Sequence, residues 1–374
     1  MWSTRIDSQP MFDVLRMANE RELQGNYVAR MEIGDTPGFR NEYLHQLIEK
    51  YSKSGFRYSP SQGELTLRES VVESQWPDSS PEDIVIGPAN FLITAGLAAC
   101  TSENDYILLP DPGFPTYRLA ANLLGLRVIY YPVFKSGRGF FPDLDAFVSD
   151  LKIKPKAIII NNPSNPLGIA FPAHEVEFHL RNFENLGISV IIDETYVNLI
   201  YDDTNAVLSG ITAIRIRSFS KEHCAPGLRV GYCLASSKQI KTISDFMSLS
   251  ISCIPQFIQL AVAEYLVTPY SLNFAKQVRS EIERRFQLMI NYLPKDCLKQ
   301  IPNSTFYSLL NVGDGQECFK YLLTNNVATC PGYTFGLGAA ETVRVSLAGS
   351  IETIETDLEM LGEALVKWYN LRKS

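Results

Sequence analysis

The chain has 374 residues, more than one minimal domain needs, and this length predicts one large domain together with a smaller one. Hydrophobic residues make up 45% and charged residues 20%, a balance typical of a globular chain with a sizeable core. The formal net charge of −7 argues against nucleic acid or an anionic membrane as the main partner.

Cysteine and histidine usage bears on the cellular compartment and on metal binding. The seven cysteines are scattered and include no C-x-x-C pair, which predicts reduced thiols and a cytoplasmic location. The four histidines form no metal-binding motif, so we expect no metal site. The N-terminal stretch lacks the apolar core of a signal peptide, and no apolar run approaches membrane-spanning length.

The first forty residues are predicted to form an arm and part of the smaller domain. Helical periodicity covers residues 11–23, and a strand-like run at 28–33 stops at a glycine–proline cluster that begins with Gly34. A further helix is predicted at 41–52. Tyr58 then begins a Y-x4-G-x3-L-R pattern that leads into another helix.

A short strand at 83–86 is followed by a tight turn and a long apolar helix that runs to residue 100. A strand, a turn and a helix N-terminus together form a ready anion site. Pro88 lies in the turn and has no N–H to donate, so Ala89 and Asn90 are the candidates for anion contacts. An ordinary helix start explains each of these residues equally well.

Three further strands each end in residues suited to a ligand site. The strand at 106–110 leads to Phe114 in a proline-rich loop, and ligands of α/β sheets bind beyond the carboxyl ends of strands. The fully apolar strand at 157–160 runs into N-N-P-S-N-P-L-G, which contains Asn165. The strand at 188–192 is followed by D-E-T-Y, which spans Asp193 to Tyr196. Turn formation and simple packing are the ordinary explanations for these residues.

The most informative stretch contains Lys221, in S-x-S-K-x5-G-x-R-x-G-Y between two β-prone runs. A lysine forms a covalent link with a carbonyl cofactor when it is partly desolvated or close to another cation. Arg229 is the candidate for that cation, and with the hydroxyl of Ser218 it is also a candidate phosphate site. Gly227 and Gly231 are expected to let the backbone approach closely.

The C-terminal third predicts helices, a long bridging helix and a small α+β unit. The helical run at 239–267 is broken at Pro255, and a long amphipathic helix is predicted at 271–292. A strand at 305–310, a helix at 318–325, a strand at 342–347 and a helix at 351–372 follow. Arg344 lies inside the second of these strands, where an arginine normally faces solvent.

These motifs, in this order, resemble the class I/II aminotransferases, the fold-type-I family of pyridoxal-phosphate enzymes. The resemblance implies an α/β fold with a mainly parallel seven-stranded sheet flanked by helices, and a smaller α+β domain built from the two chain ends. We expect residues 1–40 to form the arm and part of the small domain. Residues 41–280 should form the large cofactor domain, and 281–374 the rest of the small domain.

The resemblance also implies roles for the matching residues. Lys221 would carry pyridoxal 5′-phosphate covalently and move protons. The other expected cofactor contacts are the phosphate ligands Ala89, Asn90, Ser218 and Arg229, the ring-stacking Phe114, the phenolate ligands Asn165 and Tyr196, and Asp193 at the ring nitrogen. Gly34, Asn165 and Arg344 would contact the substrate, with Arg344 clamping its carboxylate. Tyr58 would reach the cofactor phosphate of a partner subunit, which implies a homodimer with shared active sites.

The activity expected from the resemblance is transfer of an amino group from an amino acid to a 2-oxo acid. The sequence between Arg229 and Arg279 has no arginine, which favours donors with neutral side chains. Other pyridoxal-phosphate reactions, namely elimination, decarboxylation and oxidation or cyclisation, stay open because the motifs bind the cofactor rather than direct its later chemistry. A non-catalytic regulator is disfavoured, since the lysine is intact and no DNA-binding extension is evident.

Overall fold

A computed structural model describes residues 10–36, 38–53, 55–133, 144–208, 212–295, 297–298 and 300–373. The first nine residues of the predicted arm and the start of the helix predicted from residue 143 lie outside these ranges.

Helices and strands alternate through most of the described chain. The helices are α1 (Pro10–Leu23), α2 (Glu42–Ser52), α3 (Leu65–Gln75), α4 (Ala89–Cys100), α5 (Pro115–Leu123), α6 (Leu144–Asp150), α7 (Ala173–Asn185), α8 (Ser237–Ser250), α9 (Gln256–Leu266), α10 (Pro269–Tyr292), α11 (Gly315–Thr324) and α12 (Ile354–Lys373). The strands are β1 (Ala29–Arg30), β2 (Ile84–Ile86), β3 (Tyr106–Asp111), β4 (Arg127–Pro132), β5 (Ala157–Asn161), β6 (Ser189–Asp193), β7 (Ile214–Ser218), β8 (Gly231–Leu234), β9 (Tyr307–Asn311), β10 (Val327–Ala328), β11 (Cys330–Pro331) and β12 (Thr342–Ser346).

Seven strands form the central sheet, in the order β2-β8-β7-β6-β5-β3-β4. β4, β3, β5, β6 and β7 are mutually parallel, whereas β8 is antiparallel to both of its neighbours. The predicted mainly parallel seven-stranded sheet is therefore confirmed.

Helices cover both faces of this sheet, which explains why an inner strand such as β5 is a nearly continuous apolar run. Along β5, Ala157 and Ile159 pack with α4, α5 and α8, whereas Ile158 and Ile160 pack with α6 and α7 on the opposite face. The alternation follows from the two-residue period of a strand. Because both faces are buried, the sequence shows a continuous apolar run at this strand.

The two ends of the chain share a second core. Val14 and Ala18 of α1 pack in one cluster with Val278 of α10 and with Leu361 and Leu365 of α12. β1 pairs with β10, and β9, β11 and β12 form a separate three-stranded sheet. This arrangement agrees with a small α+β unit built from both ends, while the domain boundaries at residues 40 and 280 stay a prediction.

The predicted strand at 28–33 is wrong in extent, because Ala29 and Arg30 alone are paired as a strand. Its apolar side chains are nevertheless buried, since Val28 and Met31 belong to the core shared by the chain ends. Burial in a core rather than sheet pairing therefore explains the pattern. Among the described helices, none is long and apolar enough to cross a membrane.

Candidate active site

The carboxyl ends of adjacent parallel strands open onto a cavity of about 860 Å³. Phe114 follows β3, Asn165 follows β5, Asp193 ends β6 and Ser218 ends β7. Most of the residues predicted from the sequence line this one cavity: Gly34, Ala89, Asn90, Phe114, Asn165, Asp193, Tyr196, Ser218, Lys221 and Arg229. The topology thus brings together side chains that are far apart in the sequence.

Lys221 lies on a turn between β7 and β8, as the sequence predicts, and is partly buried. Its Nζ donates a hydrogen bond to the carbonyl oxygen of Gly34 at 2.9 Å and lies 5.7 Å from the centre of the Phe306 ring. A Cβ atom on Gly34 would overlap the hydroxyl oxygen of Tyr307, so this position requires glycine. The lysine is therefore held in the cavity by a neutral backbone acceptor.

One end of the cavity has the chemistry of an anion site. The N–H groups of Ala89 and Asn90 lie in the first turn of α4, where a helix provides no internal acceptor. Arg229 adopts a left-handed backbone conformation with φ of 58°. Its Nη2 lies 3.4 Å from Asn90 Oδ1, and its Nη1 donates to the carbonyl of Pro226 at 2.7 Å. Pro88 is the N-cap residue of α4 and has no N–H, so the anion site lacks one backbone donor.

The two glycines near Lys221 differ from one another. A Cβ on Gly231 would lie 2.8 Å from the carbonyl oxygen of Arg217, so close backbone approach does require glycine there. At Gly227, no atom lies within 4 Å of such a Cβ, so no contact within the described chain requires glycine there, and close approach to a ligand stays a prediction. The backbone there is open to solvent because Gly227 is exposed.

Asp193 is the buried carboxylate of the cavity, with 4% of its surface exposed. Its Oδ1 accepts from Thr195 N at 3.0 Å and Thr195 Oγ1 at 2.6 Å, and its Oδ2 accepts from the Tyr117 hydroxyl at 2.7 Å. Burial raises the pKa of the Asp193 carboxyl, and the hydrogen bonds from Thr195 and Tyr117 offset this in part. A cation placed beside this carboxylate would favour its ionised form.

Arg344 is fully buried and is tied to the cavity through Asn165. Its Nη1 donates to Asn165 Oδ1 at 3.1 Å, and its Nη2 donates to the carbonyl of Glu32 at 2.7 Å. The guanidinium lies between the Tyr307 ring, 4.0 Å from its centre, and the Phe335 ring, 4.7 Å from its centre. These contacts fix the plane of the guanidinium before any ligand binds. Arg344 is therefore buried rather than facing solvent, which is the usual position of an arginine in an alternating strand.

Of the remaining predicted residues, Tyr196 and Phe114 line the cavity and Tyr58 does not. Tyr196 is buried beside Tyr307, and burial followed by the interaction with Tyr307 raises the pKa of its hydroxyl well above the usual value. Phe114 is half-buried and packs edge-on against Tyr117 at 5.8 Å. Tyr58 is 89% exposed and does not line the cavity, so it does not join the site within one chain.

Sequence reasoning missed the residues that hold Asp193. Tyr117 lies one helical turn after Phe114, at the start of α5, and Thr195 lies two residues after the carboxylate. The helical spacing of Phe114 and Tyr117 was the available signal, since residues three apart share one helix face. Burial, together with the nearby charge of Asp193, raises the pKa of the Tyr117 hydroxyl, which keeps it a hydrogen-bond donor.

The donor set fits pyridoxal phosphate. A phosphate needs N–H groups and an arginine, and α4 with Arg229 supplies both at one end of the cavity. A protonated ring nitrogen needs a carboxylate, and Asp193 is buried with its orientation fixed by two neighbours. An aldehyde needs an amine, and Lys221 lies in the same cavity.

Comparison with known proteins agrees with this chemistry. The family described as aminotransferase class I and II matches residues 33–361. A (5-formylfuran-3-yl)methyl phosphate transaminase of Methanocaldococcus jannaschii is 30% identical, over 97% of this chain and 98% of its own. An aspartate aminotransferase of Pyrococcus abyssi is 28% identical, over 88% of this chain and 89% of its own. The solved aromatic aminotransferase of Pyrococcus horikoshii has a TM-score of 0.85 and 26% identity, covering 94% of this chain and 99% of its own.

Proposed function

Because the chain belongs to the class I and II aminotransferases, a family of pyridoxal-phosphate-dependent enzymes, we propose that it moves an amino group from a neutral amino acid to a 2-oxo acid, using Lys221. Transamination is the activity named for its relatives, whose substrates differ from one another. The identity of the substrate and the roles of individual residues are the content of this proposal.

The cofactor would be held at three points by residues of this chain. Ala89, Asn90, Ser218 and Arg229 would bind its phosphate, Asp193 its ring nitrogen, and Asn165 with Tyr196 its phenolate oxygen. Phe114 would stack on the ring. When bound, pyridoxal phosphate supplies a reactive carbonyl and an electron-withdrawing ring.

Arg344 and Lys221 divide the work on the substrate between them. Arg344 would bind the α-carboxylate, since its planar guanidinium is already oriented by Tyr307 and Phe335. Gly34, whose carbonyl accepts from Lys221 Nζ, would contact the substrate beside the lysine. The Nζ of Lys221 would remove a proton from the substrate Cα and return one to the cofactor carbon, acting as base and then as acid.

The preference for neutral donors is supported by the composition of the cavity wall. The arginine and lysine residues that line it are Arg40, Lys221 and Arg229. Lys221 and Arg229 are assigned to the cofactor, and the Arg40 side chain is 78% exposed beside Glu42. A donor with a second carboxylate would therefore lack a buried counter-charge.

We also propose a cytoplasmic homodimer in which Tyr58 completes the partner's phosphate site. Tyr58, Phe56 and Leu249 are each more than four-fifths exposed, and such an apolar surface is typical of an interface. The segment before α3 contacts the α8 region, where Ser61 Oγ lies 3.2 Å from Ser244 Oγ. Free thiols at all seven cysteines support a reducing compartment.

Subunit mixing tests the shared site. In a heterodimer of Tyr58→Phe and Lys221→Ala subunits, one site would carry both substitutions and the other neither. We expect half the wild-type activity per heterodimer. Activity limited to half that of the Tyr58→Phe homodimer, or a fully active monomer by light scattering, would contradict the proposal.

The observation that carries the proposed function is that Lys221, Asp193 and the α4–Arg229 anion site line one cavity. Reduction of the cofactor-loaded protein with borohydride, followed by peptide mapping, should place the label on Lys221 alone. Absorbance titration with a panel of amino acids should then identify the donors. Labelling of a different lysine, or aspartate as clearly the best donor, would contradict the corresponding part of the proposal.

A further inference from the structure

The two residues that follow Lys221 are both ionisable and both buried. Glu222 is 5% exposed and His223 is 2% exposed, and neither lines the cavity. Burial of a carboxylate is strongly unfavourable unless polar or charged groups face it. The transfer chemistry described above does not use this pair, so its contacts need another explanation.

Glu222 is surrounded by groups that stabilise its charge. Its Oε1 lies 3.1 Å from His223 Nε2, and Asn198 and Arg217 also act on the carboxylate. Burial alone would raise the pKa of Glu222, but His223, Asn198 and Arg217 outweigh it and hold this pKa below its usual value. Glu222 is therefore ionised at neutral pH, although Arg217 is also paired with Glu194 at 2.9 Å.

A chain of donors leads from the cavity wall to this carboxylate. Asn41 Nδ2 donates to the Tyr265 hydroxyl oxygen at 2.8 Å, and that oxygen lies 3.5 Å from His223 Nδ1. Burial raises the pKa of the Tyr265 hydroxyl, which keeps its proton available to His223. If the Tyr265 hydroxyl donates to Nδ1, the imidazole carries its proton on Nε2, which faces Glu222. The contact between Nε2 and the Glu222 carboxylate is electrostatic, because the N–H does not point along it.

The two ends of this series of contacts lie at the cavity wall and beside Lys221. Asn41 lines the cavity and caps α2 by accepting from Leu44 N at 3.1 Å. The His223 ring stacks on Phe219, with ring centres 4.3 Å apart and planes inclined by 30°. Phe219 and His223 lie two residues before and two residues after Lys221. Their ring contact therefore joins the two ends of the turn that carries the lysine.

We propose that His223 and Glu222 are positioning residues that hold the turn at residues 219–223 against Tyr265 and Asn41, so that Lys221 projects into the cavity. The inference rests on the role proposed for Lys221. It explains two buried ionisable groups directly beside the lysine, and it links the lysine to the N-terminus of α2, which forms part of the cavity wall.

The test measures how fast Lys221 links to added pyridoxal phosphate in apo protein, by stopped-flow absorbance, alongside kcat and KM. His223→Phe keeps the stack on Phe219 but removes both polar contacts. We expect it to slow linkage and kcat at least tenfold, while KM for the amino acid changes less than twofold. His223→Gln, which keeps a donor, should recover part of both rates. His174→Phe, at an exposed histidine of α7, is the matched control and should leave them unchanged.

Glu222→Gln keeps the shape of the side chain and removes its charge, and it serves if His223→Phe does not fold. It should slow linkage severalfold. Because the lowered pKa of Glu222 stabilises the fold above the usual carboxyl range, and this contribution is lost as pH falls, the stability gap between wild type and Glu222→Gln should shrink between pH 7 and pH 3. The titratable groups facing Glu222 are His223, Arg217 and the hydroxyls of Tyr232 and Tyr265.

Linkage and turnover at wild-type rates in folded His223→Phe or Glu222→Gln would overturn the inference. Failure of the wild-type protein itself to link the cofactor at Lys221 would instead contradict the proposed function. A fall in thermal stability with unchanged linkage rate would assign the pair a structural role only, and it would also overturn the inference.

Discussion

The two walls of the cavity are built in opposite ways. On the sheet wall, Asp193 and Asn165 are each 4% exposed, and their side chains bond to Thr195, Tyr117 and Arg344. On the other wall, which we call the rim, Met11, Phe12, Arg40 and His45 line the same space, and Phe12 is 60% exposed. The sheet wall is preorganised for one charge pattern, whereas the rim has few fixed contacts.

This difference indicates what each wall does. Preorganised dipoles and charges in a dry site act strongly on a bound group, so the sheet wall suits the cofactor and the reacting atoms. Exposed side chains with weak ion pairs discriminate between ligands only slightly. We therefore expect substitutions on the sheet wall to abolish the reaction, and substitutions at the rim to change its rate only slightly.

The largest effect is expected at Lys221. Lys221→Ala removes the amine that would transfer the proton, and positioned acid–base catalysis contributes about 10²–10⁴-fold to a rate. Turnover should fall by at least that factor in a steady-state assay. Lys241→Ala, at an exposed lysine paired with Asp245, is the control and should leave turnover unchanged. Wild-type turnover in Lys221→Ala would contradict the role of Lys221 in proton transfer.

Arg344→Lys should have the next largest effect. The ammonium keeps the charge but loses the planar fork that bonds Asn165 and the carbonyl of Glu32. Disrupting one partner of a buried charged pair costs about 2–5 kcal/mol, so kcat/KM for amino acids should fall about 30-fold or more. Arg284→Lys, at a surface ion pair, is the matched control. A loss smaller than threefold would show that Arg344 does not bind the carboxylate.

Asp193→Asn separates stability from function on the same wall. The pKa of Asp193 is raised in the folded protein, so its carboxyl costs stability as pH rises through that value. In the apo protein at pH 7 the asparagine variant should therefore unfold at the same temperature as wild type or a higher one. Added cofactor, which stabilises a protein by about 2.7 kcal/mol at a hundredfold excess over Kd, should stabilise the variant far less. Equal stabilisation of both proteins would contradict the role given to Asp193.

The smallest effect is expected at the rim. Arg40 makes an exposed ion pair with Glu42 at 3.2 Å, and such pairs are worth about 0–1 kcal/mol. Arg40→Gln should therefore change kcat/KM for neutral donors less than threefold. A loss above tenfold with a neutral donor would show that the rim is preorganised to the same degree as the sheet wall, and the comparison between them would fail.

The sequence predicts the sheet wall well because its signals are local. A strand buried on both faces is a continuous apolar run, and the candidate ligand-binding residues lie at its end or directly after it, as Asp193 does at the end of β6. The prediction fails where the cause is tertiary. The apolar pattern at residues 28–33 reflects burial in a core rather than strand pairing. Glu222 and His223 resemble solvated loop residues until Tyr265 and Asn41, far away in sequence, are brought against them.

The rim could not be predicted for a related reason. Arg40 and His45 are ordinary polar residues in the sequence, and only the packing of α1 and α2 brings them to the cavity. The same applies to Tyr117, whose contact with Asp193 depends on where α5 begins relative to β6. Motifs identify candidate cofactor contacts, but they do not identify the side chains that orient those residues.

A single half-reaction tests the central claim most directly. The cofactor-loaded enzyme is mixed with a good amino-acid donor in the absence of any 2-oxo acid, and absorbance and products are followed together. Transamination predicts one equivalent of 2-oxo acid per active site, complete conversion of the bound cofactor to its amine form, and recovery of the original spectrum when a 2-oxo acid is added. Continuous release of ammonia or carbon dioxide with an unchanged spectrum would contradict the account.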